Sequence, residues 1–170
     1  MDAAAVGRAL ARMSHEIVEH NPDSGLLAFV GIRTHGVPLA QRLAGETGRI
    51  LKREVAVGEL DISMHRDDLG LRNTPPKVGP SRITFDLTGK TIVLVDDVLF
   101  TGRTIRAAMD EITDFGRPQR MQLAILIDRG HRELPIRPDY VGKNLPTALG
   151  ERVQVRLAEI DGKDEVVIER

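Results

Sequence analysis

The chain has 170 residues, 41% of them hydrophobic and 29% charged, with a net charge of -1. That is enough for one domain with a substantial core, and the composition excludes wholesale disorder. There is no Cys, which excludes a disulfide framework, a Cys-built zinc site and a thiol nucleophile.

The near-zero charge excludes nucleic-acid binding through bulk basicity; any such binding needs cations segregated onto one face. With no Trp, one Tyr and four Phe, a ladder of aromatic platforms for single-stranded bases is excluded as well. No apolar run approaches the ~18 residues of a membrane span. The start, MDAAAVGRAL, lacks a basic-then-apolar signal pattern, so a cytoplasmic protein without a membrane partner is expected.

In chain order, residues 3–20 read as an amphipathic helix, with Val6, Leu10, Met13 and Ile17 recurring every three or four positions. Asn21-Pro22-Asp23-Ser24-Gly25 ends it. Residues 26–32 form a continuous apolar run, the mark of a strand covered on both faces. Residues 37–44 carry a helical pattern, and 55–62 look like the next strand. Residues 66–80 are polar and rich in Gly and Pro, a long loop of the kind that is usually functional or disordered. A short strand is expected over 82–87, a turn at Thr88-Gly89, a buried strand over 91–95, a helix over 103–115 and another buried strand over 121–127. From about 152 to 169 the pattern alternates like strands around Asp161-Gly162. Apolar strands alternating with helices predict an α/β domain spanning 1–170, with a twisted, mainly parallel sheet flanked by helices. A small hood is expected from residues around 130–150 and the chain ends.

The most informative stretch is Ile92-Val93-Leu94-Val95-Asp96-Asp97-Val98-Leu99-Phe100-Thr101-Gly102-Arg103-Thr104. A buried strand delivers two carboxylates at its C-terminal end, where open α/β sheets bind ligands. A short loop then enters a helix whose first N–H groups, with Thr hydroxyls, accept a phosphate. Gly102 has no side chain to block close backbone approach. Adjacent carboxylates repel a phosphate but suit the hydroxyls of a sugar or a hydrated Mg²⁺. Asp-Asp alone would pass for an ordinary acidic rim; the thirteen-residue pattern reads ribose plus phosphate.

These residues resemble the phosphoribosyl-pyrophosphate (PRPP) motif of type I phosphoribosyltransferases. The likeness narrows further. Asp61-Ile62 with Arg66-Asp67-Asp68-Leu69, the run 95–110, Ile127-Asp128-Arg129-Gly130-His131-Arg132-Glu133-Leu134-Pro135-Ile136-Arg137 and Asp139-Tyr140-Val141-Gly142-Lys143-Asn144 are similar to the PyrR family, over nearly the whole chain. Members of that family are pyrimidine-operon regulators that also act as uracil phosphoribosyltransferases. The resemblance implies a type I phosphoribosyltransferase fold and Mg²⁺-assisted conversion of uracil and PRPP to UMP and pyrophosphate. It also implies UMP/UTP-dependent binding of a pyr mRNA leader, and a homodimer or higher homo-oligomer.

By the same resemblance, Asp96 and Asp97 hold the ribose hydroxyls, and Val98, Leu99 and Phe100 lead into Thr101, Gly102, Arg103 and Thr104, which cradle the 5′-phosphate. Thr34, His35 and Gly36 form the pyrophosphate loop. No side-chain cage for the metal is implied: Mg²⁺ arrives with PRPP and water near Asp96 and Asp97. Arg66, Asp67 and Asp68 open a lid, and Asp128, Arg129, Tyr140, Val141 and Lys143 lie on the base side. Arg12, His15, Arg132 and Arg137 are the RNA candidates. They belong to a cationic bias in which Arg117, Arg120, Arg129, Arg132, Arg137 and Lys143 outnumber Asp128, Glu133 and Asp139 over 117–143. Such a local cluster is what a structured RNA requires of a near-neutral chain.

The chain departs from the family at four places. His35 stands where Arg is usual, replacing a fixed cation in the pyrophosphate loop by an imidazole. His65 and Phe100 stand where Tyr is usual, and Ala148-Leu149-Gly150 replaces a segment with Ser and often Arg.

Two other patterns carry no site. Gly89-Lys90-Thr91 resembles the end of a P-loop but lacks the required first Gly and precedes a strand. His15 and His20 are five apart, so on a helix they diverge by about 140°, unlike a zinc pair. Three functional readings stay open at this point: an enzyme that also regulates through RNA, a salvage enzyme without an RNA role, and an RNA-binding regulator that keeps the pocket as a nucleotide sensor.

Overall fold

A computed structural model describes residues 1–63 and 80–170. Helix α1 (Ala3–His20) opens on Asp2, whose carboxylate accepts the Ala5 N–H at 2.8 Å, occupying one donor that the helix itself cannot satisfy. Its buried stripe is the one expected: Val6, Leu10, Met13 and Ile17. Strand β1 (Leu27–Ile32) is buried throughout. Helix α2 (Gly36–Leu51) runs about two turns beyond the predicted 37–44 and closes on Lys52 in the left-handed region. Strand β2 (Ala56–Leu60) follows.

The expected strand at 82–87 is absent. A single antiparallel bridge joins Arg82 to Glu59, and beyond it Ile83, Phe85 and Leu87 pack their side chains onto the core. The alternation there reports one buried face, and among the described residues no strand pairs with it beyond the bridge at Arg82.

Strand β3 (Thr91–Leu99) carries Asp96 and Asp97 within its C-terminal half, and α3 (Arg103–Thr113) follows. Strand β4 (Arg120–Asp128) precedes β5 (Tyr140–Asn144). The sheet is all parallel, in the order β2-β1-β3-β4-β5. Residues 140–144, expected in the hood, are therefore its edge strand. With Gly142, Lys143 and Asn144 in a five-residue strand, the apolar signal was too weak to read. The hood is smaller: β6 (Arg152–Arg156), the short helix α4 (Ala158–Asp161) and β7 (Glu165–Glu169), whose two strands pair antiparallel. The chain start joins it, since the Met1 ammonium donates to the Val166 carbonyl at 2.8 Å.

Alternation along the strands divides the core in two. Phe29, Val93 and Val95 face α1 and α2, with Leu10, Ile17, Leu39 and Leu43. Val30, Ile92 and Leu94 face α3, with Ile105 and Ile112. The helix after β1 thus covers one face and the helix after β3 the other, so the crevice between those strand ends is the switch point where such sheets bind ligands.

Candidate functional site

At the switch point β1 pairs with β3 only as far as Gly31↔Val95, while β3 continues along β4 to Leu99↔Asp128. Asp96 and Asp97 occupy the stretch just past the separation. Asp96 accepts the Asp97 N–H at 2.9 Å, and Asp97 accepts the Val98 N–H at 2.8 Å. Each carboxylate therefore satisfies a main-chain donor and is held in orientation by it. Asp96 is buried and Asp97 is about a quarter exposed, which places the second carboxylate at the mouth of the crevice.

The loop after β1 closes against this strand. Its Arg33–Thr34 peptide is cis, Thr34 is exposed, and Gly36 begins α2. A Cβ on Gly36 would collide with the Val95 carbonyl, so only glycine lets this loop lie against β3. His35 projects between two carboxylates, with Nε2 3.0 Å from Asp161 Oδ2 and Nδ1 4.0 Å from Asp97 Oδ2. Asp161 titrates below the ordinary range because it accepts the Leu157 N–H and then because of His35.

On the other side, Val98, Leu99, Phe100, Thr101, Gly102, Arg103 and Thr104 line a cavity of about 280 Å³. Gly102 has φ 95°, the left-handed conformation that turns the chain into α3. The Thr101 hydroxyl accepts the Arg103 N–H at 3.3 Å, and the Thr101 carbonyl accepts the N–H groups of Glu133 and Leu134. The Arg103 guanidinium pairs with Glu133 at 3.0 Å.

A neighbouring cavity of about 490 Å³ opens at the end of β4, lined by residues that include Asp128, Arg129, Arg132, Asn144 and Thr147. Arg129 is 7% exposed. It donates to Thr147 Oγ1 and the Ala148 carbonyl, both at 3.1 Å, and its guanidinium lies 4.1 Å from the centre of the Phe100 ring. Phe100 thus serves as a stacking face that joins the β3 and β4 loops.

Two expectations change. Arg132 belongs to this cavity rather than to an outer basic surface: it donates to the Ile136 and Phe100 carbonyls and pairs with Asp128 at 2.6 Å. Tyr140 begins β5 level with Ala124 and Val95, but its side chain is buried on the α1 face of the sheet. Its hydroxyl donates to Gln122 at 2.8 Å and accepts from Asn21 at 3.2 Å, and burial raises its pKa. A tyrosine next to a family motif reads as a site residue, whereas the strand register puts its side chain in the core. Arg12 docks α1 onto β5 by donating to the Val141 and Gly142 carbonyls.

Val141 and Lys143 lie along β5, with Lys143 exposed, as are His15 and Arg137. Arg66, Asp67 and Asp68 lie outside the described residues. Among the described residues no group of three or more acidic or His side chains is placed to hold a metal, and none of the helices is long and apolar enough to cross a membrane. Asp161 carried no local signal; it read as half of a hairpin turn, and only the tertiary fold brings it to His35.

A family model, the phosphoribosyl transferase domain, matches residues 2–159. A Bifunctional protein PyrR of Chloroflexus aurantiacus is 58% identical over 170 residues, covering 100% of this chain and 93% of its own. One from Thermus thermophilus is 57% identical over 166 residues, covering 98% and 92%. Among solved structures, the hypoxanthine phosphoribosyltransferase of Trypanosoma cruzi superposes with a TM-score of 0.73 over 99% of this chain and 93% of its own. At 14% identity that likeness concerns the fold: a parallel sheet flanked by helices.

Proposed function

The chain belongs to the PyrR family of phosphoribosyltransferases, and from that premise we propose how its geometry serves a pyrimidine-gene regulator that is also a uracil phosphoribosyltransferase. In the reaction the bond from C1′ of PRPP to the pyrophosphate oxygen breaks and a bond from C1′ to N1 of uracil forms. UMP and pyrophosphate leave, and the N1 proton is lost.

The observation that carries the reading is the placement of Asp96 and Asp97 at the separation of β1 from β3, beside the Gly102 turn into α3. The two carboxylates accept the ribose hydroxyls. The helix start with Thr101, Gly102, Arg103 and Thr104 holds the 5′-phosphate through N–H and hydroxyl donors. The loop Thr34-His35-Gly36 faces the pyrophosphate. The cavity at the end of β4, with Asp128 and Arg129, receives the base. The donor set suits Mg²⁺ held by PRPP and by water on Asp96 and Asp97, because two carboxylates without a third ligand favour a metal that keeps its waters. When bound, the ion supplies positive charge to the leaving pyrophosphate.

The regulatory role belongs to a soluble homo-oligomer in the cytoplasm that binds a pyr mRNA leader, with UMP or UTP strengthening the complex. The exposed His15 and Arg137, with Arg12 at the α1–β5 junction, are its candidate contacts. A salvage enzyme without an RNA role is the second reading; what favours it is that Arg132, and in part Arg12, are engaged within the chain itself.

Two measurements test the proposal. Uracil, PRPP and Mg²⁺ should yield UMP and pyrophosphate. A filter-binding titration of leader stem-loop RNA should tighten with UMP and weaken steeply with salt. Turnover without specific RNA binding in either condition selects the salvage reading, and absence of turnover removes the enzymatic one.

A further inference from the structure

The short segment 157–164 of the hood is fastened to α2 at two points. Arg42 grips Glu159 at 2.6 Å and Asp164 at 2.8 Å, and His35 meets Asp161 at 3.0 Å. Positions 35 and 42 are two helical turns apart and share one face of α2, so the segment lies along that face. Within it, Asp161 Oδ2 also accepts the Leu157 N–H at 2.8 Å, and Gly162 at φ 80° closes the turn. The carboxylate is therefore fixed by its own helix before it reaches His35.

The imidazole has a second acceptor within reach. Asp97 Oδ2 lies 4.0 Å from Nδ1, a gap that a small rotation closes. An imidazole moved onto Asp97 would occupy an oxygen that otherwise accepts ribose hydroxyls and would leave the pyrophosphate loop. Taking the PRPP site assigned above as given, we infer that Asp161 is a positioning residue for PRPP binding. It holds His35 in the pyrophosphate loop and off Asp97, so one hood carboxylate sets the geometry on which both halves of the substrate depend. The role is distinct from general docking of the hood, which Arg42 serves.

The test is steady-state kinetics of UMP formation in a double-mutant cycle of Asp161→Ala and His35→Ala, with Asp164→Asn as the control for hood docking and thermal melts to confirm folding. Asp161→Ala should raise the apparent KM for PRPP roughly three- to tenfold, with a smaller change in kcat and none in the KM for uracil. In the His35→Ala background the same substitution should have no further effect on the PRPP KM, because a residue acting through another loses its effect with it. Asp164→Asn should lower the melting temperature and leave the PRPP KM within about twofold, since its partner Arg42 makes no contact with His35's acceptors. Additive effects in the cycle, or an Asp164→Asn variant with the same PRPP defect, would overturn the inference while leaving the enzyme reading intact. A parent protein that forms no UMP would instead sink that reading, and the inference with it.

Discussion

Strands β3 and β4 end at the same edge of one sheet and use that edge differently. After β3 three residues, 100–102, turn the chain into α3, so the phosphate site proposed there is made of main chain and of residues adjacent in sequence. After β4 eleven residues, 129–139, intervene before β5, and their side chains tie the loop to the segments beside it. Arg129 and His131 donate to the carbonyls of Ala148 and Thr147 beyond β5, and Arg132 to that of Phe100 beyond β3. The first strand end presents donors to a ligand. The second consumes its donors in holding a shape. Changes at the first should therefore alter affinity directly, and changes at the second should act through the form of the cavity.

The sharpest way to break this comparison is at the carboxylates. Asp96→Asn with Asp97→Asn should lower kcat/KM for PRPP by about a hundredfold, the scale of losing preorganised charged acceptors in a closed site. The melting temperature should change little, because an amide oxygen still accepts the N–H groups of Asp97 and Val98. Parent-like turnover would move the ribose site elsewhere.

Gly102→Ala tests the turn itself. Placing a Cβ at φ 95° costs about 1–2 kcal/mol, and chemical denaturation should register that loss together with weaker phosphate binding. An unchanged midpoint would mean the loop has an alternative path into α3.

The buried face of β5 supplies the contrast. Tyr140→Phe removes a hydroxyl shared by Gln122 and Asn21 and should destabilise the fold by about 1 kcal/mol. The KM for uracil should stay at the parent value, and a raised one would return Tyr140 to the base site.

The smallest effect concerns the hood. The Arg42 guanidinium holds the Glu159 and Asp164 carboxyls below their ordinary values. Groups whose pKa is lowered by folding stabilise above their unfolded values and lose that contribution as pH falls through the folded ones. Arg42→Met should accordingly melt below the parent at pH 7, by about 1 kcal/mol or less for pairs this exposed. The two melting curves should draw together as pH falls below about 4, the reference range of these carboxyls, and meet once it has passed below their lowered folded-state values. A gap that persists at low pH would assign the loss to packing of the Arg42 stem.

What could be read from the sequence follows the same division. The helix stripe of Val6, Leu10, Met13 and Ile17, the buried strands and the Asp96-to-Thr104 pattern are local, so periodicity and adjacency reveal them. Residues 82–87 and 140–144 went astray because pairing is decided by what lies alongside in space. Leu87 is buried without a strand partner, and the half-polar β5 pairs only because β4 is beside it. Asp161 and Phe100 gain their places through contacts with residues 126 and 29 positions away, His35 and Arg129, and no spacing rule reaches that far.

The alternating side chains of β3 reach both cores: Val93 and Val95 belong to one, Ile92 and Leu94 to the other. The strand that carries Asp96 and Asp97 is thus, with β1 and β4, part of the wall common to both halves of the interior. A ligand that stiffens its outer end suppresses openings of either half, so occupancy at one rim should slow amide hydrogen exchange on both faces of the sheet together.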